Sequence, residues 1–239
     1  MSDTPRIAVY DLDRTLLRTP TFTLFLIRAG AWRARWRLAL VPLLLLLLAG
    51  HGLGLYGRDR LKPMAIRLML GARLPVGEMA ALAARFAAWR VPGDVPPGAA
   101  RAIARDRAEG YRLLMATAAP EFYAGTIAAA LGFDDVVATR HHRDADGAWL
   151  PAIDGTNCYG AEKARRVGEW LAATSGARAR RIRAYSDHAS DAPLFALADE
   201  AFAVGRGRRI ARAARAHGWR LVDFERPDAI DQPFPTDSA

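Results

Sequence analysis

"IAVYDLDRTL", residues 7–16, decides the fold: a short β-rich run stops at two aspartates, Asp11 and Asp13, spaced one residue apart. Runs of the same kind recur at 111–117 ("YRLLMAT"), 135–140 ("DVVATR"), 181–187 ("RIRAYSD") and 200–205 ("EAFAVG"), and "WRLVDF" (219–224) reads as a last strand. Continuous apolar strands this short suit a parallel sheet covered on both faces. Helical patterns fill the gaps at 101–110, 121–132, 161–174, 191–199 and 208–218. The alternation predicts an α/β fold, a Rossmann-like core around a central parallel sheet.

One gap is too long for a crossover helix. The interval 18–100 reads as helical almost throughout and closes with "VPGDVPPG" (91–98), read as a Pro/Gly hinge. It is expected to be an inserted helical cap, leaving 1–17 and 101–239 as a discontinuous core. The Pro- and Asp-rich end after 224 reads as a loose tail.

Composition narrows the partners. A net charge of +9 and a pI near 10.5 favour anionic ones. Of the 34 Lys and Arg only Lys62 and Lys163 are lysines, a bias of coding more than of nucleic-acid binding, and no nucleic-acid partner is expected. Each lysine stands out, because a compact ammonium differs from a planar guanidinium. A single cysteine, Cys158, excludes an internal disulfide and fits a reducing compartment. The first apolar run is too short for the core of a signal peptide.

In an open parallel sheet, ligands gather at the carboxyl ends of the strands. Those ends carry Asp11 and Asp13, then Thr117, then Asp187 with Asp191 just beyond, while Lys163 opens the helix before the fourth strand. Asp-x-Asp places two carboxylates on one side of an extended chain. Mg²⁺ binds through one or two carboxylates, waters and a substrate phosphate. A metal-held aspartate is a competent nucleophile toward phosphorus, and a second one can protonate the leaving alkoxide and later deprotonate water. Thr117 and Lys163 would hold phosphoryl oxygens. Each signal is weak alone; the ordered set is not.

The set resembles the haloacid dehalogenase superfamily. "VYDLDRTL" matches its first motif, "LLMAT" its second, Lys163 in "YGAEKARR" its third and "AYSDHASD" its fourth. The resemblance implies a phosphatase with Asp11 as nucleophile, Asp13 as general acid/base, Thr117 and Lys163 as phosphoryl binders, and Asp187 and Asp191 as metal-side acids. It implies Mg²⁺ held by Asp11, the backbone carbonyl of Asp13, and Asp187. A cap after the first strand points to the phosphoserine-phosphatase-like branch. Two departures stand out: Arg14 replaces a frequent Gly, and 14–58 contains no acid, where phosphoserine phosphatases use a glutamate to hold the substrate's amino group. That disfavours a zwitterionic substrate.

"LALVPLLLLLLAGHGLGLYG" (38–57) is almost wholly apolar. A single membrane crossing there would divide Asp11 from Thr117, Lys163 and Asp187. Its uninterrupted part, 38–50, gives roughly 20 Å of helix against a hydrocarbon core of roughly 30 Å. Two readings remain. The run is buried in the cap or a dimer contact, or it touches one leaflet as a peripheral or re-entrant element, with Arg28, Arg33, Arg35, Arg37, Arg58, Arg60 and Lys62 meeting lipid phosphates. With "KPMAIRLMLG", "CYGAEK" and "YSDHASDAPLF", this pattern resembles the phosphatidylglycerophosphatase C type of bacterial inner-membrane phosphatase. That implies a phospholipid headgroup, such as phosphatidylglycerol phosphate, met at the cytoplasmic face of the inner membrane. The alternative is a cytoplasmic enzyme acting on a small phosphorylated metabolite, and a remote third is a non-catalytic basic binding protein. Oligomeric state stays open.

Lesser features complete the expectation. His141 and His142 fall in a hairpin and read as an exposed turn. "DGTNCYG" (154–160) offers Asn157 as a residue lining the phosphate crevice. "VGRGRR" (204–209) reads as a turn.

Overall fold

The computed structural model describes residues 5–175 and 181–226. Most of the Pro- and Asp-rich end lies outside these residues. Six strands form one parallel sheet: β1 (Arg6–Tyr10), β2 (Arg112–Pro120), β3 (Asp135–Thr139), β6 (Arg181–Ser186), β7 (Glu200–Val204) and β8 (Arg220–Val222). Their order is β3-β2-β1-β6-β7-β8, so β1 lies between β2 and β6. Ile7 is opposite Arg112 on one side and Ile182 on the other. The predicted hairpin is there as β4 (His141–Arg143) and β5 (Trp149–Ile153).

Strand periodicity sorts the core into two halves. On one face Tyr10 stacks on Tyr185 at 4.2 Å between ring centroids, and Tyr185 on Phe202 at 4.5 Å. On the other face Ile7, Val9, Leu114 and Ile182 pack with Val167 and Leu171 of α7 (Ala161–Ser175). The remaining core helices are α5 (Pro97–Ala108), α6 (Glu121–Ala130), α8 (Ala192–Phe195) and α9 (Arg208–His217). The helix expected over 191–199 is much shorter, ending at Phe195, and a 3₁₀ turn, Ala189–Asp191, precedes it, with the Asp191 carboxylate accepting from Lys163.

The insertion is helical, as expected: α1 (Thr21–Arg33), a 3₁₀ turn (Arg35–Leu40), α2 (Val41–Gly52), α3 (Arg58–Leu70) and α4 (Val76–Asp94). Phe25 and Phe86 pack with Tyr123 of α6, and this aromatic cluster seats the cap on the core. "VPGDVPPG" is not a loose hinge. Helix α4 continues through Pro92 to Asp94, and α5 begins at Pro97. Gly98 is needed for close approach, since a Cβ there would lie 2.7 Å from Phe224 Cα.

Burial decides one open reading and corrects one expectation. Of the two readings of the leucine run, burial in the cap fails: within α2 only Leu44 and Gly50 are buried. The helix turns one stripe toward α3 and leaves the rest to solvent. His141 is not exposed; it is buried against Phe122, its Nδ1 at 3.1 Å from the Pro151 carbonyl oxygen, while His142 is exposed.

Candidate active site

The carboxyl ends of β1, β2 and β6 open into a crevice of about 350 Å³. Asp11, Asp13, Thr117, Lys163, Asp187 and Asp191 all line it, so the six residues singled out from distant motifs share one wall. Parallel pairing of β1 with both neighbours makes this unavoidable: in register, the strands deliver their last residues to the same edge.

Lys163 is the centre of the charge arrangement. Its buried ammonium donates to Asp11 Oδ1 at 2.7 Å and to Asp191 Oδ2 at 2.6 Å. Burial alone would lower the lysine, but the two carboxylates outweigh it and hold it above its ordinary value. Ser186 Oγ donates to Asp191 Oδ2 at 2.7 Å and fixes that carboxylate further. Asp191 Oδ1 is buried without a partner.

The acids outnumber the lysine. Burial pushes Asp11 up to about 7; Lys163 pulls it down, and the nearby Asp191 and Asp187 push it up again. Burial likewise raises Asp187 to about 6, against the pull of Arg14 and Lys163. We take the Asp11–Lys163 pair as ionised, because the lysine's upward shift requires it. Burial is thus the first cause of both upward shifts, and the neighbouring carboxylates add to it.

Asp13 faces the cap. Its Oδ1 accepts the backbone N–H of Thr21 at 2.8 Å, at the amino end of α1, and burial raises its carboxyl. Thr117 Oγ1 accepts the Ala119 N–H at 3.0 Å and keeps its own hydroxyl hydrogen for a ligand oxygen. Arg14, the departure from Gly, has φ 64, within the left-handed region that favours glycine. The family's glycine at this position thus has a conformational reason, and Arg14 occupies the site under strain.

Two expectations about the wall need correction. Asn157 stands behind the crevice rather than on it: its Oδ1 accepts from Lys62 Nζ and from Thr139 Oγ1, and its N–H donates to Asp59 Oδ1. Lys62 does not face a lipid surface. It is buried on the crevice wall, donating to Asn157 Oδ1 and the Ala118 carbonyl oxygen, both neutral acceptors. Burial lowers its ammonium to about 7. The hint was its rarity in an Arg-rich chain. Arg58, over the Tyr159 ring at 3.9 Å, and the aromatic ring of Phe22 complete the cap side.

The donor set fits a magnesium ion. Among the described residues there is no cluster of three or more His, Cys, Asp or Glu that could hold a metal unaided. Mg²⁺ does not need one, since it binds through one or two carboxylates with water and phosphate oxygens supplying the rest. The desolvated carboxyls of Asp11 and Asp187 and the orphaned oxygen of Asp191 are the hard oxygen donors that a divalent cation would take.

Comparison with known proteins agrees with this geometry. Residues 8–196 match the family model "haloacid dehalogenase-like hydrolase". The chain is 32% identical over 222 residues to Protein CicA of Caulobacter vibrioides, covering 90% of this chain and 91% of that protein. It is 33% identical over 115 residues to phosphoserine phosphatase SerB1 of Mycobacterium tuberculosis, covering 48% of this chain and 37% of that one. In fold it is similar to a Bordetella pertussis Tohama I protein of unknown function (TM-score 0.77, 24% identity, 93% of this chain and 100% of that one). It is also similar in fold to a phospho-aspartyl intermediate analogue of phosphoserine phosphatase (TM-score 0.59, 17% identity, 94% and 95%).

Proposed function

Because the chain belongs to the haloacid dehalogenase-like hydrolases and is a phosphatase of that family, we propose that it hydrolyses phosphomonoesters through an aspartyl-phosphate formed on Asp11. The single observation that carries this is the Lys163 ammonium bridging Asp11 and Asp191 on the wall that also bears Asp13, Thr117 and Asp187. Lys163 holds one oxygen of Asp11 and leaves the other for phosphorus. Attack by Asp11 breaks the phosphorus–ester oxygen bond, and Asp13 gives its proton to the departing alkoxide. Asp13 then takes a proton from water as that water attacks the phosphoryl group, which leaves as inorganic phosphate and frees Asp11. Thr117 and Lys163 bind the phosphoryl oxygens. Mg²⁺, held by Asp11, the Asp13 carbonyl and Asp187, supplies charge neutralisation of the phosphoryl oxygens when bound.

The cap sets the substrate. It contributes Lys62 and Arg58 to the wall and no acid. Lys62 is a buried ammonium without a carboxylate within ion-pair distance among the described residues, an arrangement that burial makes costly until an anion arrives. The reading these residues support is a phosphorylated metabolite with a second anionic group near the phosphate and no ammonium. Likeness to phosphoserine phosphatases supports a small substrate. One observation favours the second reading, a phospholipid headgroup such as phosphatidylglycerol phosphate: His51, at the end of the exposed apolar α2, lines the same crevice.

The test is phosphate release with Mg²⁺ from phosphoserine, from small phosphomonoesters bearing a carboxylate or second phosphate, and from phosphatidylglycerol phosphate in micelles. The polyanionic substrates should exceed phosphoserine in kcat/KM, and Asp11→Asn should abolish release by at least about a thousandfold. An Asp11→Asn protein with ordinary activity would overturn the mechanism. A preference for phosphoserine would overturn the substrate reading alone.

A further inference from the structure

We infer that the apolar face spanning the 3₁₀ turn and α2 docks on the headgroup–acyl boundary of an anionic lipid leaflet, with α2 lying in the plane of that boundary. The 18 residues Arg35–Gly52 are apolar enough, by length and composition, to cross a membrane, and only Leu44 and Gly50 among them are buried. Trp36 is 64% exposed, Leu46 67% and Leu53 78%, with Leu43, Leu45 and Leu55 beside them. Contiguous apolar surface on this scale marks a binding face, whereas scattered exposed leucines would not.

The segment cannot be a single crossing. The strand before it, β1, is zipped in register to β2, which follows it, and Arg37 Nη1 donates to the Met69 carbonyl oxygen at 3.0 Å. Both ends of the run therefore stay with the folded body. A helix held this way, one stripe against α3 and the other bare, is placed to lie along a surface and not across it.

Charge says which surface. Arg28, Arg35, Arg58 and Arg60 are exposed around the run, and no acid occurs from residue 14 to 58. Arg33 is occupied by Glu78, Arg37 by the Met69 carbonyl oxygen, and Lys62 and Arg58 by the crevice, so three of the seven flanking cations, Arg28, Arg35 and Arg60, remain for an outside partner. A second copy of this chain would bring the same arginines against one another across a two-fold contact. Anionic lipid would instead compensate them, at about 1 kcal/mol per cation near the surface. Trp36 suits the headgroup level. Docking in this way sets His51, and hence the crevice mouth, beside the leaflet. It stands apart from the hydrolase reading, which rests on other residues.

The experiment is cosedimentation of the full chain with vesicles of phosphatidylcholine alone, or with about 30 mol% phosphatidylglycerol, run beside hydrolysis of p-nitrophenyl phosphate. Binding should be at least about tenfold tighter to the anionic vesicles and weaken as salt is raised. A Leu45→Glu, Leu46→Glu double variant, altered only at exposed positions, should lose binding by about tenfold or more and keep soluble-substrate hydrolysis. Equal binding to both vesicles, or unchanged binding by the double variant, overturns the inference. So does sedimentation showing a wild-type dimer that the double variant dissolves, which would assign the face to a second copy. Absence of hydrolysis by the wild-type chain, with its anionic-vesicle binding as expected, would instead count against the catalytic reading only.

Discussion

The crevice and helix α2 handle awkward side chains in opposite ways. In the crevice, two carboxylates, Asp11 and Asp191, and two ammoniums, Lys163 and Lys62, are buried, each at a desolvation cost, and hydrogen bonds at 2.6 to 2.7 Å hold Lys163 between the two carboxylates. In α2, leucines that would stabilise the fold by being buried are left in solvent. Folding alone explains neither choice. Both regions hold unspent interaction energy, the crevice as desolvated carboxyls with an unpartnered oxygen on Asp191 and the helix as apolar surface without a cover. The difference teaches what each awaits: a small hard cation and a phosphate in one, an extended amphiphilic surface in the other.

The largest test removes the pin of the charged region. Lys163→Ala leaves Asp11 and Asp191 buried without their ammonium. Removing one partner of a buried pair costs about 3–5 kcal/mol, which at this chain length is about 10 °C in Tm. Hydrolysis should vanish with it. If calorimetry gave an unchanged Tm, the crevice would be less tightly coupled than its geometry indicates, and the contrast with α2 would weaken. Adding Asp191→Asn to the same variant should restore part of the lost Tm, because one of the two stranded charges is then gone.

A second test asks whether the raised carboxyls await a cation. The carboxyls of Asp11 and Asp187 are raised in the fold, to about 7 and about 6. A raised acid favours the folded state in its protonated form, so the metal-free protein loses that contribution as pH rises through 6 to 7. Mg²⁺ binds the deprotonated carboxylates. Its effect on Tm should therefore be small at pH 5 and reach about 5 °C at pH 8 with the ion well above its dissociation constant. A Mg²⁺ shift that is the same at both pH values would break the assignment. Addition of a chelator should reverse the gain at pH 8.

These two regions were not equally legible in the sequence. Strand ends are: an apolar run of five or six residues followed by Asp or Thr marks both the element and the place where its last side chain points, so Asp11, Asp13, Thr117 and Asp187 could be brought together without coordinates, and the ordered motifs added Lys163 and Asp191. Lys62 was not, because a helical lysine among arginines gives no sign of which way it faces; only the seating of α3 against the loop at Asn157 turns it inward. The exposure of α2 was equally hidden. Six consecutive leucines have no periodicity to say which stripe is buried, and the helix that covers Leu44 lies beyond the run itself. The hinge expected at 91–98 failed for a related reason: Gly98 answers to Phe224, far away in the chain.

The smallest effect lies at Arg14, where the crevice accepts backbone strain. A non-glycine residue at φ 64 costs about 1–2 kcal/mol, and glycine gives back about 0.5–1 of that through the freer unfolded chain. Arg14→Gly should therefore stabilise the fold by about 0.5–1 kcal/mol, or about 2 °C in Tm. Arg14→Ala keeps the strained backbone and should show no such gain. Removing the guanidinium also removes a pull on Asp187, so the pH at which Mg²⁺ begins to raise Tm should move upward in both variants. If Arg14→Gly and Arg14→Ala melt together, the residue is held for its charge beside Asp187 and the left-handed backbone carries no cost of its own.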